Sequence, residues 1–326
     1  MKKVIIIALG IIFLAAAGAG IVWFLSSRPM AKIATIQTNI PPFLFLRDGK
    51  IEKYDNGVIS DTIPVASVNA FVYDKNSKTI YYLQWGEIFT QKISSASAIT
   101  VTNTNHKIID FSLAPHENSL AFITADFTAP PIATTSQFIR KIYLLNPLKN
   151  TSILLKQLTS QQVANFVSWT TNNQITIKES TLSALLRPEF WQISPGRQDK
   201  LMNIDPNITE ISFSPDQKYQ AKLRVIGQSF QLDLNGQNRN VPSGPVVMAW
   251  SPDSNLFAIS SGRKLAWTVP TKIFWKETQI DHPITEVKIS PGGQGILLDA
   301  GGIYFININT GLNQEVVNSG SNIQFY

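Results

Sequence analysis

The sequence predicts an all-β fold, a β-propeller of seven four-stranded blades, with one N-terminal transmembrane helix in front of it. The first observation is a phrase that ends one short apolar strand and opens the next. It reads Ile-Ser-Phe-Ser-Pro-Asp at 211–216, Met-Ala-Trp-Ser-Pro-Asp at 248–253 and Val-Lys-Ile-Ser-Pro-Gly at 287–292. Because proline presets φ and Asp or Gly tolerates the positions after it, each phrase is typical of a strand–turn–strand unit.

The second observation is the spacing of this repeat. Weaker copies occur at 70–74, 111–115 and 167–171, and most neighbouring copies lie about 40 residues apart, the period of a four-stranded propeller blade. Further strand pairs between the copies, such as 141–146 followed by 152–155, supply the outer strands. The repeat array therefore predicts one domain rather than two.

The third observation concerns the two ends of the array. Three strands near the start, at 42–46, 51–54 and 58–63, have no inner strand before them, while residues 323–326 match an inner strand and then stop. One blade shared by the two ends would close the ring and remove free sheet edges. This gives seven blades; six, or eight with an unseen repeat in the long insert, remain open alternatives.

A resemblance to a known family follows from the same residues. The Ser-Pro-Asp turn, with the Leu158-Thr159 that ends an outer strand, resembles the TolB-type, tryptophan–aspartate-repeat-like propeller repeat over residues 40–326. The glycine that this family carries after Asp is Gln217 or Ser254 here, and only the last copy has glycine. The resemblance implies a propeller but says little about activity, since proteins of many functions share the repeat.

The N-terminal segment predicts a membrane anchor. Residues 4–25 carry no charge, and as a helix they would span ~33 Å, enough for a hydrocarbon core of about 30 Å. The alternative is a cleaved signal peptide, because Ala15, Ala17 and Ala19 offer small-residue cleavage sites, although the apolar run continues past them. We divide the chain into an anchor or uncleaved signal at 1–27, a linker at 28–40 and the propeller at 41–326.

Charge and cysteine usage suggest the compartment. Lys2 and Lys3 precede the apolar run, which favours a cytoplasmic N-terminus and a single-pass protein of the cell membrane with its propeller on the extracytoplasmic side. The chain has no cysteine and therefore no disulfide. Four of the six net positive charges lie in the first 32 residues. The remaining net charge of the propeller is small, so the sequence does not predict a nucleic-acid-binding surface.

The sequence contains no known catalytic motif. There is no Gly-x-Ser-x-Gly and no His-x-x-x-His, and the only histidines are His106, His116 and His282. We therefore predict no catalytic residue, no metal site and no cofactor, and we expect that the protein is not an enzyme.

One face of the propeller is the best candidate for binding. The loops that lead into inner strands share this face with the loops between second and third strands, where one repeat is 15 residues longer than the one before it and the excess falls at 125–140 as an insert. The alternative is that the prolines only stiffen these turns and that the insert is idle. The candidate binding residues on this face are His106, Phe127, Phe138, Arg140, Asp205, Asp281 and His282.

Two functions are consistent with these features. The first is a monomeric, membrane-anchored, non-enzymatic binding or scaffolding module whose partner is a protein or a cell-surface glycan. The alternative is an enzyme, a hydrolase or lyase, with its site in the mouth of the central channel and built from carboxylates such as Asp205 and Asp281. Neighbouring carboxylates at that mouth would favour the enzyme.

Overall fold

In the computed structural model, the described residues are 40–326 apart from 64, 96, 103–106, 115–118, 127–138, 171–173, 182–186, 243 and 273. The predicted anchor and all of the predicted linker except Ile40 lie outside this range. Within it, no helix is long and apolar enough to cross a membrane.

The described residues form seven antiparallel four-stranded sheets, the blades of a propeller. The blades follow one another along the chain, and each runs from an inner strand outwards. Their strands are β1 (Phe43–Arg47), β2 (Lys50–Asp55) and β3 (Val58–Asp61) in blade 1; β4 (Val68–Asp74), β5 (Thr79–Gln84), β6 (Glu87–Lys92) and β7 (Ile99–Thr100) in blade 2; β8 (Lys107–Leu113), β9 (Leu120–Asp126), β10 (Ile139–Asn146) and β11 (Thr151–Gln157) in blade 3; and β12 (Gln162–Trp169), β13 (Ile175–Thr181), β14 (Glu189–Ile193) and β15 (Lys200–Leu201) in blade 4.

The remaining strands complete the ring. They are β16 (Ile208–Phe213), β17 (Gln220–Ile226), β18 (Ser229–Leu234) and β19 (Gln237–Val241) in blade 5; β20 (Val246–Trp250), β21 (Phe257–Ser261), β22 (Lys264–Thr268) and β23 (Lys276–Gln279) in blade 6; β24 (Glu286–Ile289), β25 (Gly295–Asp299), β26 (Ile303–Asn307) and β27 (Asn313–Val317) in blade 7; and β28 (Ser321–Phe325), which belongs to blade 1.

The first blade confirms the predicted closure. Its strand order is β28-β1-β2-β3, so the last strand of the chain is the inner strand of the first blade. Phe43 of β1 lies opposite Phe325 of β28, and Ile323 is fully buried. The prediction of seven four-stranded blades is confirmed with it.

The apolar core lies between neighbouring blades. In one cluster, Trp267 of blade 6 packs with Val287 and Ile296 of blade 7, and in another Trp169 of blade 4 packs with Ala121 of blade 3. Burial of such contacts at each junction is the main favourable term that holds the blades in a ring.

The serine of the repeated phrase explains why the phrase recurs. Ser214, Ser251 and Ser290 are fully buried at the ends of inner strands. Each hydroxyl accepts a hydrogen bond from the main-chain N–H five residues later, with distances of 2.9, 2.8 and 2.9 Å to Tyr219 N, Leu256 N and Gly295 N. A hydroxyl at this position therefore closes each inner hairpin from within.

The residue after the aspartate of the repeated turn also links neighbouring blades. Gln217 and Ser254 occupy this position with φ of 61° and 63°, a left-handed conformation that costs a non-glycine residue about 1–2 kcal/mol. Both side chains bond to the blade before their own. Gln217 Nε2 donates to Trp169 O at 3.0 Å, and Asp216 N donates to Ser254 Oγ at 3.1 Å. The bonds between blades offset part of this cost.

A second hydrogen bond between blades recurs on the inner strands. Trp169 Nε1 donates to Ser112 Oγ at 2.9 Å, and Trp250 Nε1 donates to Ser212 Oγ at 3.0 Å. Ser168 is the equivalent serine of blade 4, and its buried Oγ has no partner within the described part of the chain. The reason is that the following blade, blade 5, has Phe213 at the position that Trp169 and Trp250 occupy in blades 4 and 6, and phenylalanine has no N–H to donate.

We therefore predict that F213W stabilises the protein by about 1 kcal/mol, because the indole N–H supplies the donor that Ser168 Oγ lacks. Urea unfolding of the wild type, F213W, S168A and the double variant measures the coupling. The gain should vanish when Ser168 is absent. An equal gain in both backgrounds would show that added apolar area, not the hydrogen bond, is responsible.

Candidate functional site

The central channel is lined by one strand from every blade. The inner strands β28, β4, β8, β12, β16, β20 and β24 contact one another in a ring around it. We call the face that carries the connections into these strands, such as 202–207 and 280–285, the insert face. The opposite face, which carries the Ser214, Ser251 and Ser290 turns, is the motif face.

Three of the inner strands that surround the channel carry an acid at the same position. Asp110, Glu210 and Glu286 each lie four residues before the residue that opens the motif-face turn of their blade. These acids belong to blades 3, 5 and 7. Charged residues in apolar inner strands are unusual enough to need a physical account.

The environments of the three carboxyls differ. Glu210 forms an ion pair with Lys178 of the neighbouring blade. Burial raises the pKa of Asp110, although its Oδ1 accepts a hydrogen bond from Phe111 N at 2.8 Å. Thus one carboxyl is neutralised by a partner, whereas another is biased towards its protonated form.

Glu286 interacts with more neighbouring polar and charged groups than the other two acids do. Burial raises its pKa, and Lys288, whose Nζ lies 3.5 Å from Oε1, opposes that shift without cancelling it. Ile323 N donates to Oε2 at 3.0 Å. Asp299 lies directly opposite on β25, and its charge raises the pKa of Glu286 further. Two carboxyls and an ammonium group thus meet at the insert-face end of blade 7.

Two predicted site residues belong to the same end of blade 7. Asp281 and His282 are exposed in the connection that leads into β24. The His282 ring faces Gly301, where a Cβ would lie 3.8 Å from its Cγ. The charge of Asp281 contributes to the raised pKa of Tyr304, whose main cause is burial. The structure therefore places Asp281 and His282 beside the turn that follows Asp299.

The other described candidates have structural partners. Asp205 Oδ2 lies 3.3 Å from Arg224 Nε, and its Oδ1 accepts from Asn207 N at 2.9 Å, so its carboxylate stabilises the connection into β16. Arg140 Nη1 donates to Gln162 O at 3.1 Å. His106, Phe127 and Phe138 lie outside the described residues.

The insert is shorter than predicted. Arg140 pairs with Ala125 and Ile139 with Asp126, so these four residues extend β9 and β10. The sequence pattern misled us because alanine and aspartate are poor strand formers, whereas pairing with neighbouring strands decides their conformation. Residues 127–138 lie outside the described part of the chain.

Sequence reasoning missed the channel residues Asp110, Glu286 and Lys288. For Asp110 and Glu286, the available signal was an acid four residues before the residue that opens the repeated turn. Trp85, which was not among the predicted site residues, is 74% exposed on the insert face at a φ of 54°. A bulky aromatic residue in this conformation is strained, and strain of this kind concentrates at functional positions.

Comparisons with known proteins show the fold. No protein-family model and no curated protein matches the chain, so membership of the TolB-type family is not confirmed. An oligogalacturonate lyase from Vibrio parahaemolyticus matches with a TM-score of 0.64 at 8% identity, over 79% of this chain and 83% of that one. A 6-phosphogluconolactonase-like protein from Bacteroides uniformis matches with a TM-score of 0.54 at 11% identity, over 88% and 100%.

These matches correct one prediction. We expected a protein that is not an enzyme because no catalytic motif was found, and that prediction is wrong: the propellers that match include enzymes. One of them is an oligogalacturonate lyase in complex with manganese, with a TM-score of 0.63 at 8% identity, over 77% of this chain and 79% of that one. In the described part of this chain, no group of three or more His, Asp or Glu residues could hold a metal ion.

The raised pKa of Glu286 predicts a pH dependence of stability. Ionising this carboxyl is harder in the folded protein than in the unfolded chain, so the folded protein loses stability as pH rises above the ordinary value of 4.5. Relative to E286Q, the wild type should become less stable from that pH towards neutrality, as measured by urea midpoints. E315Q, an exposed change on β27, serves as control. A difference that does not vary with pH would contradict the shift.

Proposed function

We propose that this chain is an enzyme of the hydrolase or lyase type whose reaction takes place at the insert-face mouth of the channel. The observation that carries the proposal is the Glu286 carboxyl, with its raised pKa, next to Lys288 and Asp299. Perturbed carboxyls in a cleft are typical of acid–base catalysis. The enzyme propellers of similar fold support this choice.

The chemistry follows from the charges. A carboxyl with a raised pKa keeps a proton nearer neutral pH and is able to donate it to a leaving oxygen, or to accept one once ionised. The Lys288 ammonium, close to the same carboxyl, would stabilise negative charge that develops on a substrate oxygen. Ile323 N fixes the orientation of Glu286.

The access route lies on the insert face. Asp281 and His282 precede the strand that carries Glu286, and both are exposed. Trp85 presents an exposed indole on the same face, two blades away around the ring. A polar rim with one aromatic platform suits a ligand with hydroxyl groups and an apolar flank.

The test is turnover by the purified full-length chain of a substrate panel: 4-nitrophenyl esters and glycosides, a sugar δ-lactone and oligogalacturonate. We expect at least one substrate to be turned over, and E286Q to lower kcat by about 100-fold or more because the general acid or base is lost. E315Q changes an exposed residue on the outer strand of the same blade and should retain full activity. Turnover that E286Q leaves intact would place the site elsewhere, and no turnover of the panel would contradict the proposal.

We further propose that residues 4–25 anchor the protein in the cell membrane with the propeller outside the cytoplasm. The support is the uncharged length of this segment and the lysines before it. The chain has no cysteine, so K200C, at an exposed position, creates a unique thiol. A membrane-impermeant maleimide added to intact cells should label it. Labelling only after lysis would contradict the proposed orientation.

A further inference from the structure

A second concave site lies on the motif face, away from the channel. It is a cleft of about 560 Å³ between blades 2 and 3. Three turns frame it: the β4–β5 turn at Ser77, the segment after β6 at Ser95 and Ser97, and the β10–β11 turn at Leu148 and Asn150. Its volume falls within the range of small-molecule sites.

The described lining of this cleft is almost uncharged. Most of its exposed surface is apolar, and hydroxyl and carboxamide side chains, among them Ser77, Ser97, Thr100 and Asn150, are interspersed with the apolar surface. Among the described residues that line the cleft, Lys92 is the only charged one. Such a surface offers many hydrogen bonds and little attraction for a strongly charged ligand.

One buried side chain in the lining of the cleft has an acceptor without a partner. Gln91 is 2% exposed, and its Nε2 donates to Ser95 O at 2.7 Å. Its Oε1 accepts no hydrogen bond from any residue in the described part of the chain. A buried acceptor without a donor is costly. Because Oε1 has almost no exposed surface, a ligand hydroxyl or N–H would reach it only after a small rotation of the Gln91 side chain towards the cleft, and the hydrogen bond formed there would remove that cost.

The rim of the cleft is apolar. Ile99 on the short outer strand of blade 2 is 66% exposed, and Leu148 in the facing turn of blade 3 is 78% exposed. Pro147 and Val101 join them in the lining. A ligand that fits would therefore combine donor groups for Gln91 with an apolar flank for the rim.

From these features we propose that the cleft binds a neutral saccharide. The hydroxyl groups of a sugar match the Gln91 acceptor and the serine and threonine hydroxyls, and its C–H face matches Ile99 and Leu148. An anionic ligand would find only Lys92 among the described lining residues. This site does not depend on the proposed enzyme, because it lies on the opposite face and shares no residue with the channel acids.

The experiment is ligand-observed NMR and calorimetric titration of the full-length chain with maltotriose, cellotriose and chitotriose. We expect saturable binding of at least one of them. Q91L should weaken it about tenfold, since the Gln91 acceptor is lost. L148S should also weaken it by removing the flank, and it should leave folding intact because the side chain is 78% exposed.

The matched control is L312S in the corresponding turn of blade 7, where the leucine is also exposed. It should bind as the wild type does. E286Q should also leave saccharide binding unchanged, which separates this site from the channel. No saturable binding at millimolar concentrations, or binding that L148S leaves unaffected, would overturn the proposal, as would preferential binding of a peptide or of an anionic trisaccharide.

Discussion

The ring depends on the pairing of β28 with β1, because the two strands lie at opposite ends of the propeller sequence and β28 supplies the inner strand of the first blade. The same strand makes contacts on both sides. Ile323 N bonds to Glu286 of blade 7, and Tyr326 stacks on Tyr73 of blade 2 with ring centroids 5.3 Å apart. The hydrogen bond at Ile323 is therefore both a closure contact and the group that orients the candidate acid. The main-chain N–H of Ile323 would therefore contribute both to closure of the ring and to the proposed reaction.

Divergence of the repeats follows from the same geometry. In three blades a buried serine hydroxyl closes the inner hairpin, so few other residues would serve at this position. The position after the aspartate requires only a left-handed backbone conformation. Gln217 and Ser254 adopt it, and their side chains form hydrogen bonds with the preceding blade. Ser214 also donates to Asp216 and holds the pKa of that carboxyl well below its usual range.

The sequence predicted the fold far better than the site. Turn chemistry at a fixed period identified the inner hairpins, and the unmatched strands at the two ends identified the shared blade. These signals are local or periodic. The pKa of Glu286 depends instead on burial and on Asp299 and Ile323, residues that only the folded ring brings to it. Asp281 and His282 could be placed on the insert face from the sequence because they lie in a connection whose position the topology determines, and their role stays a prediction.

A comparison of the three channel acids bears on why they are present. If such residues only stabilised the ring, each would be expected to have a full ionic partner, as Glu210 has in Lys178. Asp110 and Glu286 instead keep raised pKa values, so ionising them costs free energy of folding at neutral pH. For Glu286 this cost persists although Lys288 is close by. Packing alone gives no reason for carboxyls that lower stability at the same position of two inner strands, and the acid–base role proposed for Glu286 would supply one.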